Sequence, residues 1–228
     1  MEPTPSLRNF LAITLVGFAS AASSAHAAEF DWDNNADTAG FGTAGGTWAA
    51  PTVSLWSNDP TGVAATGASI TTTSSDALKF GTATDGLAAD TITASGTVSA
   101  NSLTFGSASG AVTLSGGTLA MGGTTPTITV NNSVNTIRSI LTGTGTLMKQ
   151  GVGTLTLSGN NTRSGVLDFG IQNQQEDAGT LRLENSNALG TQNVEFETSG
   201  AIALGTSGLT IASNILVGNR TGTAPRTS

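Results

Sequence analysis

Two groups of oxygen-bearing side chains have the types and spacing to do chemistry in this chain. Asp31-Trp32-Asp33-Asn34-Asn35-Ala36-Asp37 sets oxygen ligands at alternating positions, as the opening of an EF-hand calcium loop does. Ala36 stands where such a loop needs glycine, and Gly42 where it needs a bidentate glutamate. The segment therefore reads better as a polar turn before the first strand than as a calcium site. Glu176-Asp177, with Asp168, Glu184, Glu195 and Glu197, could supply the carboxylate pair of a glycosidase or the calcium-binding acids of a polysaccharide lyase. Glu195 and Glu197 flank Phe196 and so share one strand face, the solvent face; Leu167, Phe169 and Ile171 likewise point opposite to Asp168. Acids spread along a solvent face do not converge on a groove. The stretch Gln172–Asp177 reads as a solvated loop able to touch a partner.

Other catalytic chemistries lose their residues. Cysteine is absent, and His26, the one histidine, lies in a segment expected to be cleaved off. Without either, the mature chain has no Ser-His-Asp triad and none of the common zinc or transition-metal sites. Gly143-Thr144-Gly145 and Gly151-Val152-Gly153 look superficially like phosphate loops, but no helix opening on Lys-Ser or Lys-Thr follows either one, so they read as turns. We therefore expect no catalytic residue, cofactor or metal. Trp32, Trp48 and Trp56 offer carbohydrate stacking if exposed, or an end cap if buried, and the cap reading is preferred because no polar anchors accompany them.

The elements behind these residues follow from composition. Thirty glycines in 228 residues is roughly double the usual share of about 7%, and Thr, Ser and Ala fill much of the rest, which argues against a helical fold. With 10% charged and 37% hydrophobic residues, the chain fits neither a highly charged disordered protein nor a membrane bundle. The net charge is −7, and the bases Lys79, Arg138, Lys149, Arg163, Arg182, Arg220 and Arg226 are scattered. No basic patch exists to hold a phosphate backbone, so no nucleic-acid partner is expected.

Residues 1–27 have the form of a secretory signal. A polar start with Arg8 precedes an apolar run from Phe10 to about Ala22, and Ala25-His26-Ala27 supplies the small residues of a cleavage site before Ala28. The run is shorter than the roughly 18 residues a spanning helix needs, and nothing later is long and apolar enough to span as a helix. The product is expected to be exported, at the cell surface, associated with the outer membrane, or extracellular. Residues 28–68 form an aromatic-rich cap with the first strands, and residues 69–228 a run of repeats, clearest over 145–190.

Those repeats share the phrase Gly-Thr-Leu-x-(Leu or Met): Gly117–Met121, Gly153–Leu157 and Gly179–Leu183, with relatives starting at Gly110, Gly145 and Gly200. Each has a turn residue and then alternating apolar and small polar side chains, one short strand with Leu inward and Thr outward. Short alternating segments also precede them, at Ser69–Thr73, Ala77–Phe80, Thr91–Ala94 and Ser102–Phe105. Repetition of such a unit means stacked rungs. Asn131, Asn132, Asn135, Asn160, Asn161, Asn185 and Asn187 recur near strand ends, where their amides are expected to stack in ladders.

The stretch from Leu147 through Lys149-Gln150-Gly151-Val152-Gly153-Thr154-Leu155-Thr156-Leu157-Ser158-Gly159-Asn160-Asn161 to Thr162, continued by Gly179–Leu183 and Ala188-Leu189-Gly190, resembles the autotransporter-associated β-strand repeat, also called the passenger-associated transport repeat. The phrases Trp32-Asp33, Ala39–Gly42 and Gly46-Thr47-Trp48 resemble the start of large secreted proteins carrying it. The resemblance implies an all-β, right-handed parallel β-helix (β-solenoid) in a surface-exposed or secreted bacterial protein, with no catalytic residues to transfer. Arg163 stands where the family commonly has an aromatic, and Gln172–Asp177 looks like an insertion. No translocator barrel follows, and the chain ends in mid-pattern, so either a longer protein or another export partner is expected. The function expected is structural and adhesive, toward a glycan or other surface partner. A β-helix enzyme acting on polysaccharide and a carbohydrate-binding module are the alternatives.

Overall fold

A computed structural model describes residues 27–35, 38–63, 69–123, 125–169, 178–196 and 200–217. The secretory segment lies outside the described residues apart from Ala27, as do Gln172–Asp177 and Glu197. Every regular element among the described residues is a strand. At the N-terminal end are β1 (Glu29–Trp32), β2 (Gly46–Trp48), β3 (Thr52–Val53), β4 (Trp56–Ser57) and β5 (Ser69–Ile70). Three complete turns follow: β6 (Ala77–Phe80), β7 (Asp90–Ala94) and β8 (Thr97–Ala100); β9 (Ser102–Phe105), β10 (Val112–Ser115) and β11 (Thr118–Met121); β12 (Thr127–Val130), β13 (Val134–Ile137) and β14 (Ile140–Thr142). Later turns have two strands each: β15 (Thr146–Gln150) with β16 (Thr154–Leu157), β17 (Val166–Phe169) with β18 (Thr180–Leu183), and β19 (Asn193–Phe196) with β20 (Ala201–Leu204), before β21 (Ile215–Val217).

The chain coils as a parallel β-helix of about six turns among the described residues. One face stacks in the order β21-β19-β17-β15-β12-β9-β6-β1-β4, the second β2-β7-β10-β13-β16-β18-β20, and the third β14-β11-β8. All these pairings are parallel except that of β4, which runs antiparallel to β1 at one end of the first face. Neighbouring strands are one whole turn apart in sequence, so each strand meets its counterpart in the next turn and like stacks on like. The second face carries the column Ile92, Leu114, Ile137, Leu157, Leu183 and Leu204, each in register with the next. The third carries Val98, Leu119 and Leu141, and the first Leu78, Leu103 and Ile128. Apart from Leu204, which is exposed, they belong to one narrow core running along the coil.

The glycine of the Gly-Thr-Leu phrase has a steric reason. A Cβ on Gly153 would lie 1.9 Å from the Asn132 carbonyl oxygen, and one on Gly179, whose φ is +68°, 2.3 Å from that of Gly153. The corner brings the backbones of successive turns too close for any side chain.

The third face stops after β14. The following turn still hydrogen-bonds there, with Thr162 N–H donating to Leu141 O and Ser164 N–H to Gly143 O, both at 3.1 Å. But the Leu141 N–H donates to Asn161 Oδ1 (2.7 Å), and Asn161 Nδ2 donates on to Ala188 O (2.6 Å). A side-chain amide thus occupies ladder positions that a strand backbone would fill.

One sequence expectation needs correction. Thr156 alternates outward as expected, yet it is only 3% exposed. It sits in register between Thr136 and Arg182.

Candidate functional site

The cap begins with alternation on β1, where Trp32 turns into the core. Trp32 meets Trp56 edge-on at 4.9 Å, Trp48 meets Trp56 at 5.4 Å, and Trp56 meets Phe80 at 5.8 Å, with Phe80 stacked on Phe105 at 5.0 Å. The Trp48 indole N–H donates to Thr72 Oγ1 (3.1 Å). All three tryptophans are buried, which removes the stacking platform that a carbohydrate-binding module needs. They plug the first turn instead.

Asp31 projects from the other side of β1 and pairs with Ser57 of β4. That returning strand leaves it buried, as is Asp33. Burial pushes the Asp31 carboxyl up to about 6; Lys79 opposes the rise, while Glu29, Asp33 and Asp59 add to it. Asp33 is raised by burial and held back by its hydrogen bond from the Asn35 N–H (3.1 Å). Asp31 Oδ1, Asp33 Oδ2 and Asn35 Oδ1 find no hydrogen-bond partner among the described residues. The rest of the motif is committed to the backbone, with Asn34 Oδ1 accepting from Thr43 N–H (2.8 Å) and Asn34 Nδ2 donating to Gly45 O (2.9 Å). Asp37 lies outside the described residues, and no three His, Cys, Asp or Glu side chains among those described are grouped to hold a metal. The segment is a turn tied down by its own amides, and burial raises the pKa of both its described carboxyls.

Of the second group of acids, Asp168, Glu184 and Glu195 are among the described residues. Asp168 on β17 is in register with Glu195 on β19, so these two are brought together. Asp168 was expected to face solvent but is 4% exposed. Glu184 lies beyond β18 on the second face, its Oε1 3.1 Å from Arg182 Nε. Glu176, Asp177 and Glu197 lie outside the described residues.

Two buried cations are the polar features that reading by residue type missed. Lys149 is fully buried, in register with Ile128 on one side and Phe169 on the other. Its Nζ donates to the carbonyls of Gln150 (3.1 Å), Gly151 (2.8 Å) and Ala178 (2.6 Å), and lies 5.6 Å from the Phe169 ring centre. The signal was present: Leu147 turns inward, so two residues on Lys149 must do so too. Arg163 is also fully buried, at the corner where the third face ends. Its Nη1 donates to Met121 O (2.9 Å) and Thr142 O (3.3 Å), and its Nη2 to Thr144 O (3.1 Å), while burial lowers its pKa. Arg163 replaces an aromatic's bulk and satisfies carbonyls left behind by β11 and β14. Both cations are turned away from solvent and hold backbone, so their role is structural.

The asparagines act in the same way. Asn187 Nδ2 donates to Asn160 Oδ1 (2.8 Å), a true ladder step, but Asn132 reaches Gly110 O (2.8 Å) and Asn185 reaches Ser158 O (3.4 Å) in the preceding turn. Asn132, Asn161 and Asn185 clip a neighbouring turn through its carbonyls.

A stacked parallel coil with glycine corners, asparagine clips and a plugged first turn defines a β-solenoid, the fold that the sequence resemblance implied. No family model matches the chain, and no solved structure does. Among curated proteins it is similar to the Adhesin BmaC autotransporter of Brucella suis biovar 1 (strain 1330), with 34% identity over 187 residues. That similarity covers 82% of this chain but only 5% of the relative.

Proposed function

We propose that the chain is a passenger-type segment of an exported surface protein, one that extends outward and adheres to a glycan or other surface partner without catalysis of its own. The observation that carries this reading is the 34% identity, spread over 82% of the chain, to an autotransporter named as an adhesin. The fold supports it. A coil stabilised turn by turn holds its shape as it lengthens and displays long side faces, which suits presentation outside the cell. The burial of Asp168, the register partner of Glu195, supports the absence of catalysis.

Beads coated with the folded chain should bind host cells or extracellular matrix more than beads coated with the heat-unfolded chain. Equal binding by both would overturn the adhesive reading. Export is tested separately by sequencing the N-terminus of the protein recovered outside the cell, which should begin at Ala28.

A further inference from the structure

We propose that Asp76 is the acceptor site for the α-ammonium group that cleavage before Ala28 creates, so that removal of residues 1–27 locks β1 onto the coil. The inference rests on the reading that export cleaves the chain there. β1 enters the first face by stacking on β6, with Glu29, Phe30 and Asp31 in register with Ala77, Leu78 and Lys79. One position earlier, the Ala28 N–H donates to Asp76 Oδ1 (3.1 Å), and the Ala77 N–H donates to Ala28 O (2.8 Å). The nitrogen that cleavage frees is therefore already seated on a carboxylate.

The surroundings of Asp76 suit a cation at that point. The residue is 5% exposed. Its Oδ2 accepts from the Thr73 N–H (2.7 Å) and the Thr73 hydroxyl (2.9 Å), which fixes the carboxylate and turns Oδ1 toward Ala28. Its own carbonyl accepts from the Asn101 N–H (2.8 Å) and the Ser102 N–H (3.2 Å) of the next turn, so the backbone is held as well. Among the described residues Lys79 pairs with Glu29 and Arg182 with Glu184, and no basic side chain pairs with Asp76. A buried carboxylate without a cation is costly, and cleavage supplies one. Hydrolysis of the Ala27–Ala28 amide adds one water, leaving a carboxylate on Ala27 and an amine on Ala28. That amine takes up a proton at neutral pH, because α-amino groups titrate at about 8. A neutral donor thus becomes a charged one in the same place, and charge-assisted hydrogen bonds are about twice as strong as neutral ones. Ala28 is half-buried, so the new charge keeps part of its hydration. Fixing Ala28 fixes β1, which carries Trp32 into the aromatic plug and pairs with β4. The cap is therefore held more weakly in the uncleaved chain than in the cleaved one.

A double-mutant cycle tests this. The full chain and the chain beginning at Ala28, each with and without Asp76→Asn, are compared by urea denaturation. The substitution disturbs the Thr73 contacts equally in both, so the difference between its two costs isolates the charge. Asp76→Asn should lower the folding equilibrium constant about tenfold more in the chain beginning at Ala28 than in the full chain. Acetylating the Ala28 amine should cancel that excess, and so should beginning the chain at Ala27, which returns an amide to Ala28. Equal costs in the full chain and the chain beginning at Ala28 would overturn the proposal, as would an excess that survives acetylation. Should Asp76→Asn fail to fold, hydrogen exchange at β1 in chains that keep Asp76 decides. Exchange is expected to be slower in the chain beginning at Ala28 than in its acetylated form, and equal rates would overturn the lock. Sequencing the N-terminus of the exported protein stands apart: a start elsewhere than Ala28 would sink the cleavage site on which the lock depends, whereas a start at Ala28 with equal costs in the cycle would sink the lock alone.

Discussion

The two ends of the coil meet the same problem in opposite ways. A stack of turns must leave a core cross-section and a row of strand edges at each end. At the N-terminal end a short antiparallel strand covers the edge, and Trp32, Trp48 and Trp56 fill the cross-section. At the C-terminal end of the described residues, side chains that would be core one turn earlier face outward. The repeated phrase makes turns but does not finish them; closure has to come from residues outside the repeat, here large aromatics.

The strongest way to break this comparison is to make one substitution at two adjacent levels of one column. Leu183 and Leu204 are register partners, the first fully buried and the second exposed. Leu183→Asp puts an unpaired charge into the core and should cost about 4 kcal/mol or more, while Leu204→Asp should cost under about 1 kcal/mol. Urea denaturation measures both. Similar midpoints would mean that the C-terminal end is not open. Trp56→Ala probes the closed end. Trp56 contacts Trp32, Trp48 and Phe80, so its loss should cost about 3–5 kcal/mol, against well under about 1 kcal/mol for Val217→Ala. A Trp56→Ala chain with unchanged stability would show that the aromatic plug does not close the coil.

What was legible in the sequence follows the same divide. Within the repeats, alternation placed Ala77–Phe80, Ser102–Phe105 and Thr118–Met121 as strands with the right residues inward. In a solenoid the local pattern and the tertiary stack are one periodicity, so local reading suffices. It failed where contact depended on another turn or a returning strand. Alternation puts Asp31 outside, and only the return of β4 buries it. Thr156 and Asp168 also lie on the outward side of their strands and are nevertheless covered. Arg163 departs from the family's aromatic, but nothing local reveals that carbonyls of two earlier turns await its guanidinium.

A smaller effect tests the shared interior between the ends. Gly179 combines φ of +68° with a clash for any Cβ against Gly153 O. Gly179→Ala should cost about 2–3 kcal/mol, the left-handed backbone alone accounting for roughly 1–2 kcal/mol. The same substitution at Gly208, which also has a positive φ but an unobstructed Cβ site near the open end, should cost about 1 kcal/mol. Equal costs at the two glycines would mean that the corner stacking adds nothing to the backbone strain.

The smallest effect distinguishes the ends by pH. Asp31 at the closed end has its pKa raised from 3.8 to about 6, so the folded cap holds its proton more tightly than the unfolded chain does. Stability from this group is therefore fully present below the unfolded value and is lost as pH rises through about 6. Between pH 5 and pH 7 the loss should be on the order of 1 kcal/mol. Asp31→Asn, which stays neutral, should remove that part of the pH dependence, so the stability difference between wild type and variant should shift in the variant's favour by this amount over the interval. The residues 200–217 at the open end hold no titrating side chain, so the change should appear in hydrogen exchange at β1 and β4 and be absent at β20 and β21. An equal pH response at both ends would show that the cap's buried carboxyl is not its source.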